Sequence, residues 1–417
     1  MTIRRHFTNI SALACIQVSN ALVPILVFPY ALFVLGPGPF SEIVLAEAVS
    51  NIVLTLVIFS FEIDGVARVS NLTIRDNRTE IGKIYANIFY ARLLIWSIAA
   101  VLALGGVAIA TGKPPTLMAL WLLVPLGYIF HATWLYQGLE RNIPAAVFTL
   151  LSRAAAVLIV LLMLKGADTA YLVPMAIGLT FMVGGLASVA YAALVLGLKP
   201  QRPEWTEILF LLRHGKEILF GNLSVLLYRD LNVLILGAVG AGPVSVSTYS
   251  LAEKLIKMLQ ATMRPITQFF FPRLLRRLSG VAAPNITAAR LIMRYTTVQL
   301  GLMFFVIIGL AVSITLFWWF TPIIRDYPDG ERIVILGAVM VTSVFLGIMN
   351  FMFGSAGLNY LNARKYFFYA ILATGLINVI VCVVLTRWLG AFGAAMAFAF
   401  AEAPLLIMVL WKYRRAA

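Results

Sequence analysis

Gly242-Pro-Val-Ser-Val-Ser-Thr-Tyr-Ser-Leu-Ala-Glu253 lies 206 residues after Gly36-Pro-Gly-Pro-Phe-Ser-Glu-Ile-Val-Leu-Ala-Glu47, and the two stretches align without a gap. Gly-Pro matches at the start and Leu-Ala-Glu at the end. The offset is close to half of the 417-residue chain. Such an internal repeat marks a protein assembled from two related halves, so the organisation of the remaining sequence has to accommodate two copies of one unit.

The solvent of those units follows from composition. Hydrophobic residues make up 62% and charged residues 12%, and the mean hydropathy is +0.95, whereas soluble domains are about half apolar and a quarter charged. The chain is therefore a polytopic membrane protein. Apolar segments of about 20 residues, separated by charged or Gly/Pro-rich breaks, predict twelve helices. Their approximate spans are 9–35, 41–63, 84–110, 114–137, 143–165, 170–197, 216–238, 244–275, 290–320, 331–356, 363–386 and 390–411. The repeat then pairs helix two with helix eight. The expected fold is all-α and integral to the membrane, with twelve transmembrane helices in two pseudo-symmetric six-helix bundles, 1–198 and 216–417. A cytoplasmic linker, 199–215, joins them, and its amphipathic piece Trp205-Thr-Glu-Ile-Leu-Phe-Leu-Leu212 is expected at the membrane interface. Two halves on one linker can rock. Cys15 and Cys382 both fall in apolar runs and suggest neither a disulfide framework nor a metal site.

Positive charge gives the orientation. Of 32 Lys and Arg residues, 22 fall at the termini and in every second break, around Arg68 to Lys83, Arg141 to Arg153, Lys199 to Lys216, Arg273 to Arg294, and Arg364 with Lys365. Only Lys113, Lys165, Arg325, Arg332 and Arg387 lie on the other side. Both termini are expected to be cytoplasmic. The same count explains the net charge of +15 without nucleic acid.

Five cations remain inside helices: Arg92, Arg229, Lys254, Lys257 and Arg264. A charge at the bilayer centre costs about 2.5 to 3.5 kcal/mol on insertion scales, so such residues face a protein interior or a water-filled cavity. In helix eight, Glu253, Lys257, Gln260, Arg264 and Gln268 recur at helical spacing and form one stripe. From Glu253 to Arg264 it would climb roughly 16 Å. Glu47, Asn51 and Thr55 form the equivalent stripe on helix two, expected to face the first across a central cavity. Structural pairing offers the plain account, Glu253 with Lys257 one turn away and Asp230 with Arg264 or Lys254 across helices. Against it, helices seven and eight carry four cations and two acids, and the excess calls for an anion. Arg229, about midway along helix seven, is expected to bind it, with Lys254, Lys257 and Arg264 opposite. Glu47, Glu253 and Glu402 are the other buried acids, either ion-paired or carriers of coupling protons, and Asp230 either holds a cation in place or is itself protonatable.

Little in the chain would perform covalent chemistry. It has no phosphate-binding glycine loop, no clustered metal ligands and only three histidines, of which His131 is expected to be a hydrogen-bonded structural residue. The predicted outer breaks are too short to hold the acceptor of a polymerase. A transporter is expected, with Pro24 and Pro29 as bending points in helix one.

Two segments carry a family resemblance. Trp134-Leu-Tyr-Gln-Gly-Leu-Glu-Arg141 resembles the W-x-x-Q-G-x-E segment that follows the fourth helix of Wzx-type polysaccharide flippases. Leu219-Phe-Gly-Asn222, with Tyr228, Asn232, Leu236-Gly237 and Tyr249-Ser-Leu-Ala-Glu-Lys254, resembles their seventh and eighth helices. The resemblance implies the multidrug/oligosaccharidyl-lipid/polysaccharide exporter (MOP) fold, a V of two MATE-like bundles alternating between inward and outward openings. It implies as substrate an undecaprenyl-pyrophosphate-linked oligosaccharide, moved from the cytoplasmic to the periplasmic leaflet of the bacterial inner membrane for O-antigen or a related polysaccharide. A pyrophosphate is also the anion that surplus cations would attract. Besides the lipid-linked glycan and membrane lipids, a polysaccharide polymerase or chain-length regulator is the expected partner. No cofactor is expected, and coupling to a proton or sodium gradient or to the membrane potential stays open. The alternatives are a lipid-II-type flippase, a multidrug exporter of the same fold, whose cavity would suit surplus acids, and a membrane polymerase.

Overall fold

The computed structural model describes residues 3–112, 114–199, 201–278, 281, 284–320 and 327–415, which among themselves contain helices and no strand. Among the described residues, ten helices are long and apolar enough to cross a membrane. They are α1 (Ser11–Leu35), α2 (Pro37–Val69), α3 (Arg78–Thr111), α4 (Thr116–Gly138), α5 (Asn142–Met163), α6 (Ala167–Leu194), α9 (Ile286–Leu316), α10 (Gly330–Leu358), α11 (Arg364–Leu389) and α12 (Ala391–Arg415). Between α6 and α9 lie two more. The span α7 is a bent pair, Trp205–Arg229 and Asn232–Ala238, with an angle of 54° at the break. The helix α8, Pro243–Thr262, is 20 residues long but carries Glu253, Lys254 and Lys257, and a further helix, Arg264–Leu278, follows it. The expected twelve-helix architecture is thereby met. Lys113 and Arg325 lie outside the described residues.

The chain divides into two compact units, Met1–Leu223 and Ser224–Ala417. The boundary falls inside α7. Trp205–Leu212, expected as an interfacial piece of a linker, is the first part of that helix and runs without interruption to Arg229. It is tied to the N-terminal unit by Glu207 with Arg68 at 3.1 Å and Glu204 with Lys83 at 2.9 Å.

The repeat is visible in backbone geometry. Gly36 (φ 73°, ψ 175°) and Gly242 (φ 81°, ψ 158°) precede α2 and α8, and each is followed by a proline in the first turn. The positive φ is open to glycine at no steric cost, and the proline loses nothing there because first-turn N–H groups lack intrahelical partners. Gly-Pro thus reads as the same helix start in both halves. Irregularities recur at related positions too. α1 contains a widened π turn, Val23–Val27, and in repeat register Pro24 corresponds to Asp230, in the break of α7. α2 is interrupted at Phe59 (φ 49°) and Ser60 before resuming at Phe61. α8 is interrupted at Met263, because Pro265 has no N–H to give to the Ala261 carbonyl.

Packing explains one family-like segment as architecture. Trp134, Leu135 and Tyr136 are fully buried in the core of the N-terminal unit with Phe61, Val69 and Ile81. A Cβ on Gly65 would stand 2.5 Å from the Trp134 ring, so only glycine lets α2 and α4 approach this closely there. The segment ends at Glu140 in a left-handed conformation (φ 52°). Its carbonyl accepts from Asn9 Nδ2 at 2.8 Å, and Asn9 Oδ1 accepts the Asn142 N–H at 3.2 Å. His131 is structural as expected, with Nε2 3.0 Å from the Phe181 carbonyl and its ring stacked on Phe181. The C-terminal unit has its own core, centred on Leu274, Ile292, Met352, Phe353 and Tyr413.

Candidate functional site: a polar cavity at the break in α7

The two charges that interrupt α7 sit at its break. Arg229 ends the first segment and Asp230 follows it. The Asp230 N–H still reaches Leu226 O at 2.9 Å, but Leu231 N–H reaches back five residues to the same oxygen at 3.2 Å. The widened turn leaves the Tyr228 carbonyl to side chains. Asn378 Nδ2 on α11 donates to it at 3.3 Å and to Asn232 Oδ1 at 3.1 Å, while Asn232 Nδ2 lies 3.5 Å from the same carbonyl. Both asparagines are buried. Irregular backbone at membrane depth persists only where it is satisfied in this way or lines a cavity. The expectation that Arg229 lies within a continuous helix is therefore corrected. The stripe on α8 is shortened likewise, since the interruption at Met263 separates Gln260 from Arg264. The side chains of Arg264 and Gln268 lie outside the described residues.

Lys257 carries the ion pairing. Its Nζ lies 2.6 Å from Asp230 Oδ1 and 2.9 Å from Glu253 Oε1. The expected Glu253–Lys257 pair is present, and Asp230 also pairs with Lys257. Glu253 is buried, whereas Lys257 and Asp230 remain 28% and 40% exposed along their side chains. Lys254, half-buried, interacts electrostatically with both acids.

Arg229 is held differently. Its Nη2 donates to Gln260 Oε1 at 2.5 Å. Gln260 Nε2 donates to Ser343 Oγ at 3.1 Å, and Ser343 Oγ donates to the Met340 carbonyl at 2.7 Å. Arg229 and Gln260 border a cavity of about 450 Å³ in the C-terminal unit, with Ser343 behind them. Its polar lining is Arg229, Lys257, Gln260, Thr267, Asn350 and Glu402, and its apolar walls include Val225, Phe351, Phe367 and Leu405. Glu402, at the start of the second segment of α12, is 6% exposed. Its backbone carbonyl and Oε2 accept from Asn350 Nδ2 at 2.8 and 3.3 Å. A Cβ on Gly347 would lie 3.1 Å from that carboxylate. Counting charges on helices seven and eight alone omitted Glu402. Arg229, Lys254 and Lys257 are matched in number by Asp230, Glu253 and Glu402, which leaves over only Arg264, whose side chain lies outside the described residues.

The remaining candidates lie in the N-terminal unit. Arg92 is 1% exposed, and its Nη2 donates to Glu62 Oε1 at 2.6 Å. Its guanidinium also lies over the Phe61 and Tyr128 rings, 5.6 and 5.4 Å from their centroids. Glu62 Oε2 accepts from Thr133 Oγ1 at 3.4 Å. Arg92 is thus paired with Glu62 inside the N-terminal unit. Glu47 is half-buried on α2. Thr55 Oγ1 donates to the Asn51 carbonyl one turn back. Sequence reasoning missed Glu62, Ser343, Asn350 and Asn378. Each is a polar residue in an apolar run, a signal that was present but did not say which would meet.

The solved structures similar to this chain define the class. An inward-facing multidrug resistance MATE family transporter of the MOP superfamily superposes with a TM-score of 0.61 at 15% identity, covering 99% of this chain and 94% of the other. A MOP superfamily transporter from Pyrococcus furiosus, described as having a binding pocket of reversed polarity, superposes with a TM-score of 0.54 at 13% identity over 97% and 94%. The fold is that of these multi-pass membrane transporters. Among curated proteins, a candidate O-antigen transporter of Escherichia coli (strain K12) is 22% identical over 410 residues, covering 97% of this chain and 96% of its own. Another from Shigella dysenteriae is 24% identical over 276 residues, 64% of this chain and 66% of its own. The family described as polysaccharide biosynthesis protein matches residues 7–277, and this chain belongs to it. The resemblance to Wzx-type flippases holds at the level of family and fold.

Proposed function

We propose that the protein moves an undecaprenyl-pyrophosphate-linked oligosaccharide, an O-antigen repeat unit or a related surface glycan, from the cytoplasmic to the periplasmic leaflet. It would do so in the bacterial inner membrane, with both termini cytoplasmic and by alternating access of two six-helix halves. The observation that carries this reading is the setting of Arg229. It borders an amphipathic cavity and donates to a neutral amide, Gln260. A guanidinium held by a dipole keeps its full charge and a free edge for bidentate contact with phosphate oxygens. Lys257, shared between two carboxylates, and Lys254 extend the positive side of the site, and Phe351, Phe367 and Leu405 offer apolar surface to the lipid next to its head group. The candidate O-antigen transporters among the relatives support the same substrate class. Glu402, buried in the same cavity, is the proposed site of proton or sodium coupling, ahead of Asp230, Glu253 and Glu47. A polymerase or chain-length regulator would receive the product.

The test is flipping of a labelled undecaprenyl-pyrophosphate oligosaccharide in proteoliposomes. Arg229→Ala is expected to lower the rate at least tenfold, whereas Arg92→Lys, outside the cavity, is expected to retain most of it. Transport that survives Arg229→Ala would remove the head-group assignment. An exporter of cationic compounds is the second reading, favoured by Glu402 in the cavity. Ethidium transport lost in Glu402→Gln but kept in Arg229→Ala would support it.

A further inference from the structure

We infer that Ser343 is a positioning residue for Arg229, acting through the amide of Gln260. This rests on the reading of Arg229 as the head-group ligand. An arginine side chain has only donors, so whatever holds it must present an acceptor. Gln260 has one acceptor end and one donor end, and a wrongly turned amide would set its NH2 against the guanidinium. The direction is decided at the far side. The single Ser343 hydroxyl proton goes to the Met340 carbonyl at 2.7 Å, leaving the oxygen as an acceptor for Gln260 Nε2 at 3.1 Å. With its NH2 engaged there, Gln260 turns Oε1 toward Arg229. Ser343 is 1% exposed, so water does not replace it readily.

The relay also joins two helix irregularities. Met340 is the last residue of the first segment of α10 and Ser343 lies in the first turn of the second. Arg229 lies at the break of α7. A change in the bend of α10 would move the hydroxyl that fixes the amide and, through it, the guanidinium. The relay orients the cation through a neutral amide, with Asp230 and Glu402 acting on it only through space, which suits reversible capture and release of a phosphate-bearing ligand. A carboxylate in place of Gln260 would neutralise it.

The experiment measures binding of inorganic pyrophosphate to the purified full-length protein by calorimetry, for wild type, Arg229→Ala, Ser343→Ala, Ser343→Thr and Gln260→Glu. Ser343→Ala is expected to weaken binding about tenfold and Ser343→Thr, which keeps the hydroxyl, to restore it to within about threefold of wild type. Gln260→Glu is expected to abolish binding while leaving the thermal unfolding temperature unchanged or raised, an outcome that loss of packing would not give. Wild-type affinity in Ser343→Ala, with binding lost in Arg229→Ala, would overturn the relay and leave the head-group reading standing. Binding unaffected by Arg229→Ala, or absent from the wild type, would overturn both.

Discussion

Arg92 in the N-terminal unit and the Arg229–Lys257 cluster in the C-terminal unit are held in different ways. In the first, Arg92 and Glu62 form a single closed pair, 2.6 Å long, with the guanidinium 1% exposed between two aromatic rings. In the second, Lys257 serves two carboxylates while remaining 28% exposed, and Arg229 leans on a neutral amide at the edge of a cavity. The helix irregularities that correspond by the repeat differ in the same sense, with Pro24 in the apolar π turn of α1 where Arg229-Asp230 break α7. A closed pair is silent toward ligands, because its attraction is consumed offsetting its own desolvation. An open network keeps a cation within reach of a partner from outside. The same scaffold holds an ion pair in one half and, on the function proposed above, a recognition site in the other.

Breaking the closed pair should have the largest effect on stability. Arg92→Met leaves Glu62 without its cation in an apolar setting and is expected to cost about 3 kcal/mol, seen as a clear fall in the unfolding temperature of the solubilised protein. The double change Arg92→Met with Glu62→Leu should recover most of it, and a single change without cost would show that the pair is not what the N-terminal unit relies on. Lys257→Met comes next, at about 2 to 3 kcal/mol, since water offsets part of the loss at Asp230, which is 40% exposed, and the buried Glu253 keeps Lys254 nearby. Transport should fall further than this loss of stability accounts for. If rate and unfolding temperature instead moved together, the C-terminal network would be as structural as its N-terminal counterpart.

Asn378→Leu removes donors from the freed Tyr228 carbonyl and is expected to cost about 1 kcal/mol. Faster hydrogen exchange around Asn232 would locate the loss at the break, and unchanged exchange there would contradict that role. The smallest effect is expected for Pro24→Ala, under about 1 kcal/mol with transport within about twofold of wild type, because the π turn can retain its shape through neighbouring packing. A transport defect as large as that of Asn378→Leu would make both related irregularities functional and erase the contrast.

Much of this was legible before any tertiary information. Gly36-Pro37 and Gly242-Pro243 marked matching helix starts because their conformational preferences are local. Charged residues in apolar runs marked the polar interior because their cost in a membrane does not depend on fold. The break in α7 was not legible as a break. Arg229-Asp230 reads equally well as two side chains on a continuous helix, and the asparagine that satisfies the freed carbonyl lies 150 residues away. The excess of cations inferred from helices seven and eight shrinks from two to one for a related reason, since Glu402 joins that cavity from the last helix. Ser343 carried no signal beyond being a small polar residue, and its role depends on where Gln260 points.

By itself the sequence determined that this protein is a membrane protein of about twelve helices made as two related halves, and which of its residues could not face lipid. Hydropathy, helix starts and the energetic cost of buried charge are properties of short segments. The tertiary structure alone decided that Arg92 closes on Glu62, that Lys257 is divided between Asp230 and Glu253, and that Arg229 is turned by an amide toward a cavity. Such pairings are set by which helix faces pack together, and a charge at membrane depth takes the partner that packing brings within hydrogen-bonding distance, however far away it lies along the chain.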